Sequence, residues 1–140
     1  MLNMRDNRNR QDKSGSNGRA VFTSVDLGNS WEEHGTSYGA LIEPVCMASL
    51  HKHVYHKNGS KNEVLLFSNP SSKYQRKNMT IKMSFDGGKT WPKDSWILLD
   101  EGKSRGYSCI TSIDEDTIGI LYEGSGSDLV FQKVDIRTFL

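Results

Sequence analysis

One pattern of eight residues, S-x-D-x-G-x-[ST]-W, occurs twice in this chain, as SVDLGNSW from Ser24 to Trp31 and as SFDGGKTW from Ser84 to Trp91. The Asp side chain can accept backbone N–H groups across a tight turn, and the Gly can adopt the positive φ that such a turn requires. The Trp then begins the return strand and packs its ring beneath the turn. Each copy therefore predicts a hairpin joining the last two strands of a four-stranded sheet. The two copies start 60 residues apart (84 − 24), and repetition of a turn at such an interval is typical of propellers and solenoids.

The rest of the sequence alternates strand-forming residues with turn clusters rich in Gly, Asn, Asp and Ser. No stretch of ten or more residues shows helical periodicity, so the chain is predicted to be all-β. A polar segment, 6–18, is expected to be mobile, and 68–77 is expected to be a loop. The predicted strands are 19–24, 63–68, 79–84, 96–99, 107–113, 117–123 and 129–134.

Composition excludes several classes of function. The 18 basic and 17 acidic residues give no electrostatic case for a nucleic-acid or membrane surface. No apolar run approaches the roughly 18 residues of a membrane span. Cys46 and Cys109 do not define a disulfide framework; buried thiols are favoured over a single bridge. The His51, His53 and His56 run lacks acidic or Cys partners at ligand spacing, so no metal site is expected.

Several short segments around the two octapeptides together point to one family. In chain order they are Asn3-Met4-Arg5, Gly18-Arg19-Ala20-Val21, Glu43-Pro44-Val45-Cys46, Ser68-Asn69-Pro70 with Arg76, Gly106-Tyr107-Ser108, and Ile118-Gly119-Ile120-Leu121-Tyr122-Glu123. The octapeptide is the Asp box, and with these segments the chain resembles the bacterial exo-sialidases (neuraminidases). Those enzymes are six-bladed β-propellers that remove terminal sialic acid from glycoconjugates. The resemblance implies two to three later blades of such a propeller, forming a single partial catalytic domain over residues 1–140.

The resemblance also implies roles for individual residues. Arg5 and Arg76 match two of the three arginines that bind the sialic acid carboxylate, a task suited to bidentate guanidinium groups. Tyr107 matches the nucleophile of a retaining glycoside hydrolase. A carboxylate nucleophile would be repelled by the carboxylate of the substrate, and sialidases are an exception to the usual carboxylate pair. Glu123 matches the residue that orients the first arginine of the triad, and Glu43 is expected beside the sugar.

Neighbouring residues of the same types have simpler interpretations. Arg8 and Arg10 are interpreted as loop residues, Arg19 as an ion-pair former at a strand edge, and Tyr122 as a core residue. In the family, the first arginine, the acid/base Asp and the Glu that activates the Tyr all precede the N-x-R strand. The chain is therefore expected to lack the N-terminal blades of its propeller and to be inactive alone.

The expected partners are sialylated glycans, meaning glycoproteins, glycolipids and oligosaccharides, and no cofactor is expected. For the bacterial family, a secreted, periplasmic or cell-surface location is expected. Two alternatives stay open: a non-catalytic module that binds sialylated glycans, and a purely structural Asp-box propeller fragment.

Overall fold

In a computed structural model, residues 1–11 and 14–140 are described, and they form ten β-strands and two short 3₁₀ turns. The 3₁₀ turns are Asn7–Arg10 and Lys93–Ser95. The strands are β1 (Leu2–Met4), β2 (Ala20–Thr23), β3 (Glu32–Glu33), β4 (Ser49–Lys57), β5 (Ser60–Pro70), β6 (Lys77–Ser84), β7 (Trp96–Lys103), β8 (Ser108–Ser112), β9 (Thr117–Glu123) and β10 (Leu129–Asp135). The prediction of an all-β protein is confirmed. Within the described ranges, no helix has the length and apolarity needed to cross a membrane.

The strands form three antiparallel sheets in which each strand pairs with its neighbours along the chain. The first sheet contains β1–β3, the middle sheet β4–β7 and the third sheet β8–β10. One Asp box joins β2 to β3 and the other joins β6 to β7, so both close the last hairpin of their sheets. The first sheet therefore repeats the last three strands of the middle sheet, as blades of a β-propeller do.

Both Asp boxes close with the same local hydrogen bonds. The Asp26 carboxylate accepts the Ser30 backbone N–H at 2.9 Å, the Ser30 hydroxyl at 2.7 Å and the Ser24 hydroxyl at 2.8 Å. Asp86 accepts the backbone and hydroxyl of Thr90 at the same 2.9 and 2.7 Å. Hydrogen bonds from these Ser and Thr side chains, followed by those from the backbone, lower the pKa of each Asp to about 2. The hydrogen bonds that close each turn are therefore made by residues of the turn itself.

The two Asp-box tryptophans have different surroundings. Trp91 is buried and meets the Phe67 ring edge-on at 5.9 Å between centroids, as the sequence predicts for a ring beneath the turn. Trp31 packs against its own turn, as predicted, but it is 47% exposed where Trp91 is buried. Its ring lies beside Gly28 of its own turn, and its indole N–H donates to the Gly28 carbonyl at 3.1 Å.

The main core lies between the middle and third sheets. Alternate residues of β9 point into this core, so Ile118 and Ile120 are fully buried. Leu121, the residue after Ile120, points to the other face of the sheet and is 44% exposed. On the opposite face of the middle sheet, a smaller cluster joins Leu41, Phe67 and Trp91. The middle sheet is therefore covered on both faces.

Coverage on both faces buries a lysine. Lys82 is 0% exposed on β6, in register with Phe67 and Trp96 on the adjacent strands. Its ammonium donates to Asn69 Oδ1 at 3.0 Å and lies 4.6 Å from the Trp96 ring centroid. Burial, with a smaller contribution from the positive charge of Arg19, lowers the pKa of Lys82 to about 7.

The structure also departs from the sequence-based expectations in its strands, in segment 6–18 and at Cys109. Strand β4 was not among the predicted strands, and β5 runs from Ser60 to Pro70, well beyond 63–68. Within segment 6–18, residues Asn7–Arg10 form a 3₁₀ turn, while residues 12 and 13 lie outside the described part of the chain. Both cysteines are free thiols, as favoured, but Cys109 is exposed, so the expectation of burial holds only for Cys46.

Candidate functional site

The ends of three strands carry the residues that were predicted to bind substrate. Arg5 directly follows β1, Arg76 directly precedes β6, and Tyr107 directly precedes β8. Because β1 runs antiparallel to β2, and the Asp boxes follow the ends of β2 and β6, the two arginines lie at the sheet ends opposite the boxes.

Arg5 and Arg76 line one cleft of about 300 Å³. The other lining residues are Asn7, Arg10, Pro44 and Val45. Three arginines and no acidic residue are among the described residues that line the cleft, so its chemistry favours an anionic ligand. The sequence pattern did not single out Arg10, which was interpreted as a loop residue and which the 3₁₀ turn at Asn7–Arg10 brings to the edge of this cleft.

Arg76 is fixed by backbone carbonyls from two different loops. One terminal nitrogen donates to the Arg105 carbonyl at 2.9 Å and the other donates to the Val45 carbonyl at 3.0 Å. The guanidinium carbon lies 5.7 Å from the centroid of the Tyr107 ring. A guanidinium carries five N–H donors, so these two contacts leave donors for a ligand while restricting the side chain.

Tyr107 and Glu123 hold each other across β8 and β9. The Tyr107 backbone N–H donates to Glu123 Oε2 at 2.9 Å, and the Glu123 backbone N–H donates to the Tyr107 carbonyl at 3.0 Å. Tyr107 is 41% exposed, so the ring is accessible to a ligand. Tyr122, the neighbouring alternative, is buried in the core as predicted.

Gly106 positions Tyr107 because no larger residue fits there. Its φ is +88°, and a Cβ atom at this position would lie 2.7 Å from the Pro70 ring and 2.9 Å from Cys46 Sγ. The chain therefore passes close against the loop before β4 and the end of β5 just before it presents the tyrosine.

Glu43, which was expected beside the sugar, is fully buried. One carboxylate oxygen accepts the Asp6 backbone N–H at 2.6 Å, and the other accepts Arg19 Nη1 and the Cys46 backbone N–H, both at 3.0 Å. The contact with Glu43 confirms that Arg19 forms an ion pair and places that pair in the interior. Arg19 Nε also donates to Asn3 Oδ1 at 2.6 Å. These contacts favour a positioning role for Glu43 over direct contact with a ligand. They link the backbone next to Arg5, at Asp6, to the backbone next to Val45, at Cys46.

Tyr107 and Glu123 line two depressions other than the arginine cleft. Tyr107 lines a mostly apolar one of about 200 Å³ together with Met47, Cys109 and Leu121. Glu123 also lines an open cleft of about 660 Å³, which contains Lys103, Arg105 and Asp128. Arg76 is therefore the residue that connects Tyr107 to the arginine cleft.

The histidine run makes hydrogen bonds between the middle and third sheets. His51 Nε2 and His53 Nδ1 each lie 2.8 Å from the Ser112 hydroxyl, and His56 Nδ1 lies 2.8 Å from Glu115 Oε1. Among residues 1–11 and 14–140, no group of three His, Cys, Asp or Glu side chains has an arrangement that could hold a metal ion.

Comparison with known proteins gives a consistent result. No family model matches the chain. The chain is 49% identical over all 140 residues to a sialidase of Bacteroides fragilis, and it covers 24% of that relative. It is 36% identical over 121 residues to a sialidase of Micromonospora viridifaciens, and this match covers 84% of the chain and 18% of that relative. A solved structure titled Hadza microbial sialidase superposes with a TM-score of 0.84 at 48% identity, over 98% of this chain and 25% of that one. The chain spans about a quarter or less of the length of these relatives.

Proposed function

This chain belongs to the bacterial sialidase family, and we propose that it supplies the carboxylate-binding and nucleophile-bearing part of an exo-sialidase. The observation that carries the proposal is the shared cleft of Arg5 and Arg76, with the Tyr107 ring 5.7 Å from the Arg76 guanidinium carbon. Sialic acid bears its carboxylate on the anomeric carbon. A carboxylate held by two guanidinium forks would therefore bring the carbon to be attacked close to Tyr107.

In this proposal the Tyr107 oxygen attacks the anomeric carbon while the bond to the leaving oxygen breaks. Water then displaces the tyrosine from the face that the leaving oxygen occupied, and the two successive inversions retain the configuration. A neutral phenol loses its proton as it attacks, and a carboxylate must accept that proton. A second carboxylic acid must protonate the leaving oxygen. We expect these two carboxyl groups to come from other parts of the longer sialidase fold.

Glu123 and Glu43 act through other residues in this scheme. Glu123 accepts the Tyr107 backbone N–H and still faces the open 660 Å³ cleft, where its carboxylate is available to orient a further arginine of the substrate-binding set. Glu43 holds the segment after β1 against the loop whose Val45 carbonyl binds Arg76. Its proposed role is to set the separation of Arg5 and Arg76.

The direct test is a chimera in which this chain replaces the homologous segment of the Bacteroides fragilis sialidase. We expect the chimera to hydrolyse a fluorogenic sialoside. Tyr107→Phe should reduce its kcat by roughly two orders of magnitude or more while leaving the affinity for a sialic acid inhibitor largely unchanged, because the ring and its packing survive. Tyr74→Phe is the matched control, since Tyr74 is an exposed tyrosine that does not line the cleft. A Tyr107→Phe chimera that keeps most of its kcat would remove Tyr107 from the nucleophile role.

A second candidate function is the binding of sialylated glycoproteins, glycolipids and oligosaccharides without cleavage. It is favoured by the contacts of Glu123, whose carboxylate accepts the Tyr107 backbone N–H in place of the phenol. Each missing general acid or base typically costs about 10²–10⁴-fold in rate. For the chain alone, we therefore expect saturable binding of sialyllactose and no measurable turnover. Recovery of turnover on mixing with the remaining part of the Bacteroides fragilis relative would favour the hydrolase.

A further inference from the structure

Val45 has a backbone conformation that its side chain disfavours. Its φ is +58°, and among the described residues it is the one β-branched residue with a positive φ. For a β-branched side chain this conformation is an outlier, and such strain persists only where the surrounding structure holds it. Strained residues of this kind cluster at functional sites, and the Val45 carbonyl is one of the two that bind the Arg76 guanidinium.

Buried contacts on the next residue hold Val45 in this conformation. The Cys46 backbone N–H donates to Glu43 Oε2 at 3.0 Å, and the Cys46 carbonyl accepts Arg19 Nη1 at 2.5 Å. The residue before Val45 is Pro44, whose ring fixes its own φ. The backbone is therefore restricted on both sides of Val45, and these restrictions set the direction of its carbonyl.

Val45 and Cys46 contact two different parts of the candidate site. The Val45 carbonyl accepts Arg76 Nη2 at 3.0 Å, and the Cys46 thiol donates to the carbonyl of Gly106, the residue before Tyr107, at 3.3 Å. Burial raises the pKa of the Cys46 thiol, so the thiol stays protonated and able to donate. Two adjacent residues therefore hold the side chain of Arg76 and the backbone that leads into Tyr107.

We propose that the Val45–Cys46 dipeptide is a positioning element that fixes Arg76 relative to Tyr107. The inference rests on the proposed function, because it takes Arg76 to bind the substrate carboxylate and Tyr107 to attack the anomeric carbon. The Arg76 guanidinium carbon lies 5.7 Å from the Tyr107 ring centroid, and the dipeptide contacts both residues' supports. Val45 then governs how tightly the carboxylate is bound, and Cys46 governs how fast the bound substrate reacts.

The test at Val45 measures KM and kcat of the chimera described above and the Kd of the 140-residue chain for sialyllactose, by titration calorimetry. Val45→Pro forces φ to about −65° and turns the carbonyl away from Arg76. KM and Kd should rise about tenfold or more, while kcat should change by less than about threefold. Val45→Gly and Val45→Asn are the conservative replacements, because both residues adopt positive φ readily, and they should recover most of the lost affinity.

A double variant shows whether Val45 acts through Arg76. Arg76→Gln alone should weaken the binding of sialyllactose. Adding Val45→Pro to it should cause little further loss, because two changes that remove the same contact are not additive. Losses that add in full would mean that Val45→Pro acts by a general structural effect, and they would overturn the role of Val45.

Cys46→Ala tests the other half of the dipeptide. The change removes the donor to the Gly106 carbonyl and loosens the backbone before Tyr107. It should lower the kcat of the chimera by about tenfold or more and leave KM within about twofold, because a small misplacement of the attacking group is costly. Cys46→Ser keeps a donor at this position and should recover most of the kcat.

The outcomes separate this inference from the function on which it rests. A wild-type chimera that hydrolyses the sialoside, with unchanged kinetics in Val45→Pro or Cys46→Ala, would overturn the inference and leave the proposed function intact. Equal weakening by Val45→Pro, Val45→Gly and Val45→Asn would overturn it as well, because the side chain and not φ would then matter.

Melting curves identify variants that do not fold. If Val45→Pro shows no cooperative transition, the kcat of Cys46→Ala compared with that of Cys46→Ser decides: equal values overturn the inference, and a loss confined to Cys46→Ala supports it. If the wild-type chimera is inactive and the chain does not bind sialyllactose, the proposed function fails and the inference fails with it.

Discussion

Glu43→Gln tests the buried ion pair that holds the cleft together. The substitution keeps the shape of the side chain and removes its charge, which leaves the Arg19 guanidinium, with a side chain 3% exposed, without a counter-charge. An amide has one acceptor oxygen where the carboxylate has two, so it cannot serve the N–H donors of Asp6, Arg19 and Cys46 together. Removing one partner of a buried pair typically costs about 3–5 kcal/mol.

The expected change in melting temperature follows from the size of the chain. Unfolding entropy near the transition is about 2.1 cal/mol/K per residue, which for 140 residues gives about 0.3 kcal/mol/K. A loss of 3–5 kcal/mol therefore lowers Tm by about 10–17 °C. Differential scanning calorimetry measures this change, and a urea titration at a fixed temperature checks that the free energy of unfolding falls by the same amount.

Glu63→Gln is the control for the loss of a carboxylate from an ion pair. Glu63 pairs with Lys52 at 3.1 Å, but both side chains are about half exposed. Exposed pairs contribute little, so Tm should scarcely change. A Glu43→Gln chain that melts like the Glu63→Gln chain would refute the argument that the buried pair is a main support of this end of the fold. Replacing Arg19 and Glu43 together with apolar residues should recover part of the lost stability, because no charge is then left unpaired.

Three further predictions concern backbone strain and two basic side chains with lowered pKa values. Leu27→Gly should raise Tm slightly and Gly87→Leu should lower it, because both positions have positive φ, +59° and +73°, in equivalent places of the two Asp boxes. Folding lowers the pKa of Lys82 from 10.5 to about 7, so the free energy of unfolding of the wild type, measured relative to Lys82→Met in urea, should rise between pH 7 and 10. Burial, and secondarily the charge of His53, lowers the pKa of His51, so stability should fall as the pH drops below about 6.5, and His51→Gln should reduce that dependence in acid unfolding curves.

The features that sequence reasoning reached are those determined over short distances. The hydrogen bonds of each Asp box form within its eight residues, so the sequence pattern is sufficient to predict the hairpin. Alternation in β9 predicted a strand at 117–123, and the structure has it at the same bounds. The pairing of Arg5 with Arg76 came only from family resemblance, since nothing in the local sequence relates residues that far apart.

The features that sequence reasoning missed depend on which sheet packs on which. In β6, Met79, Ile81 and Met83 alternate with polar residues, a pattern that predicts one buried face and one exposed face. Both faces are buried, and Lys82 is enclosed, because the middle sheet lies between two clusters of apolar side chains. Glu43 was missed in the same way: a carboxylate in a loop indicates an accessible side chain, and only the packing around Arg19 encloses it.

The two carbonyls that fasten Arg76 belong to the segments in which the chain crosses from one sheet to the next. Val45 lies between β3 and β4, and Arg105 lies between β7 and β8. One guanidinium thus acts as a joint between both crossovers, and its position depends on the angles among all three sheets. An anion bound to Arg76 would restrict the guanidinium that links both crossovers. The affinity of a ligand at this position therefore also depends on the relative orientation of the three sheets.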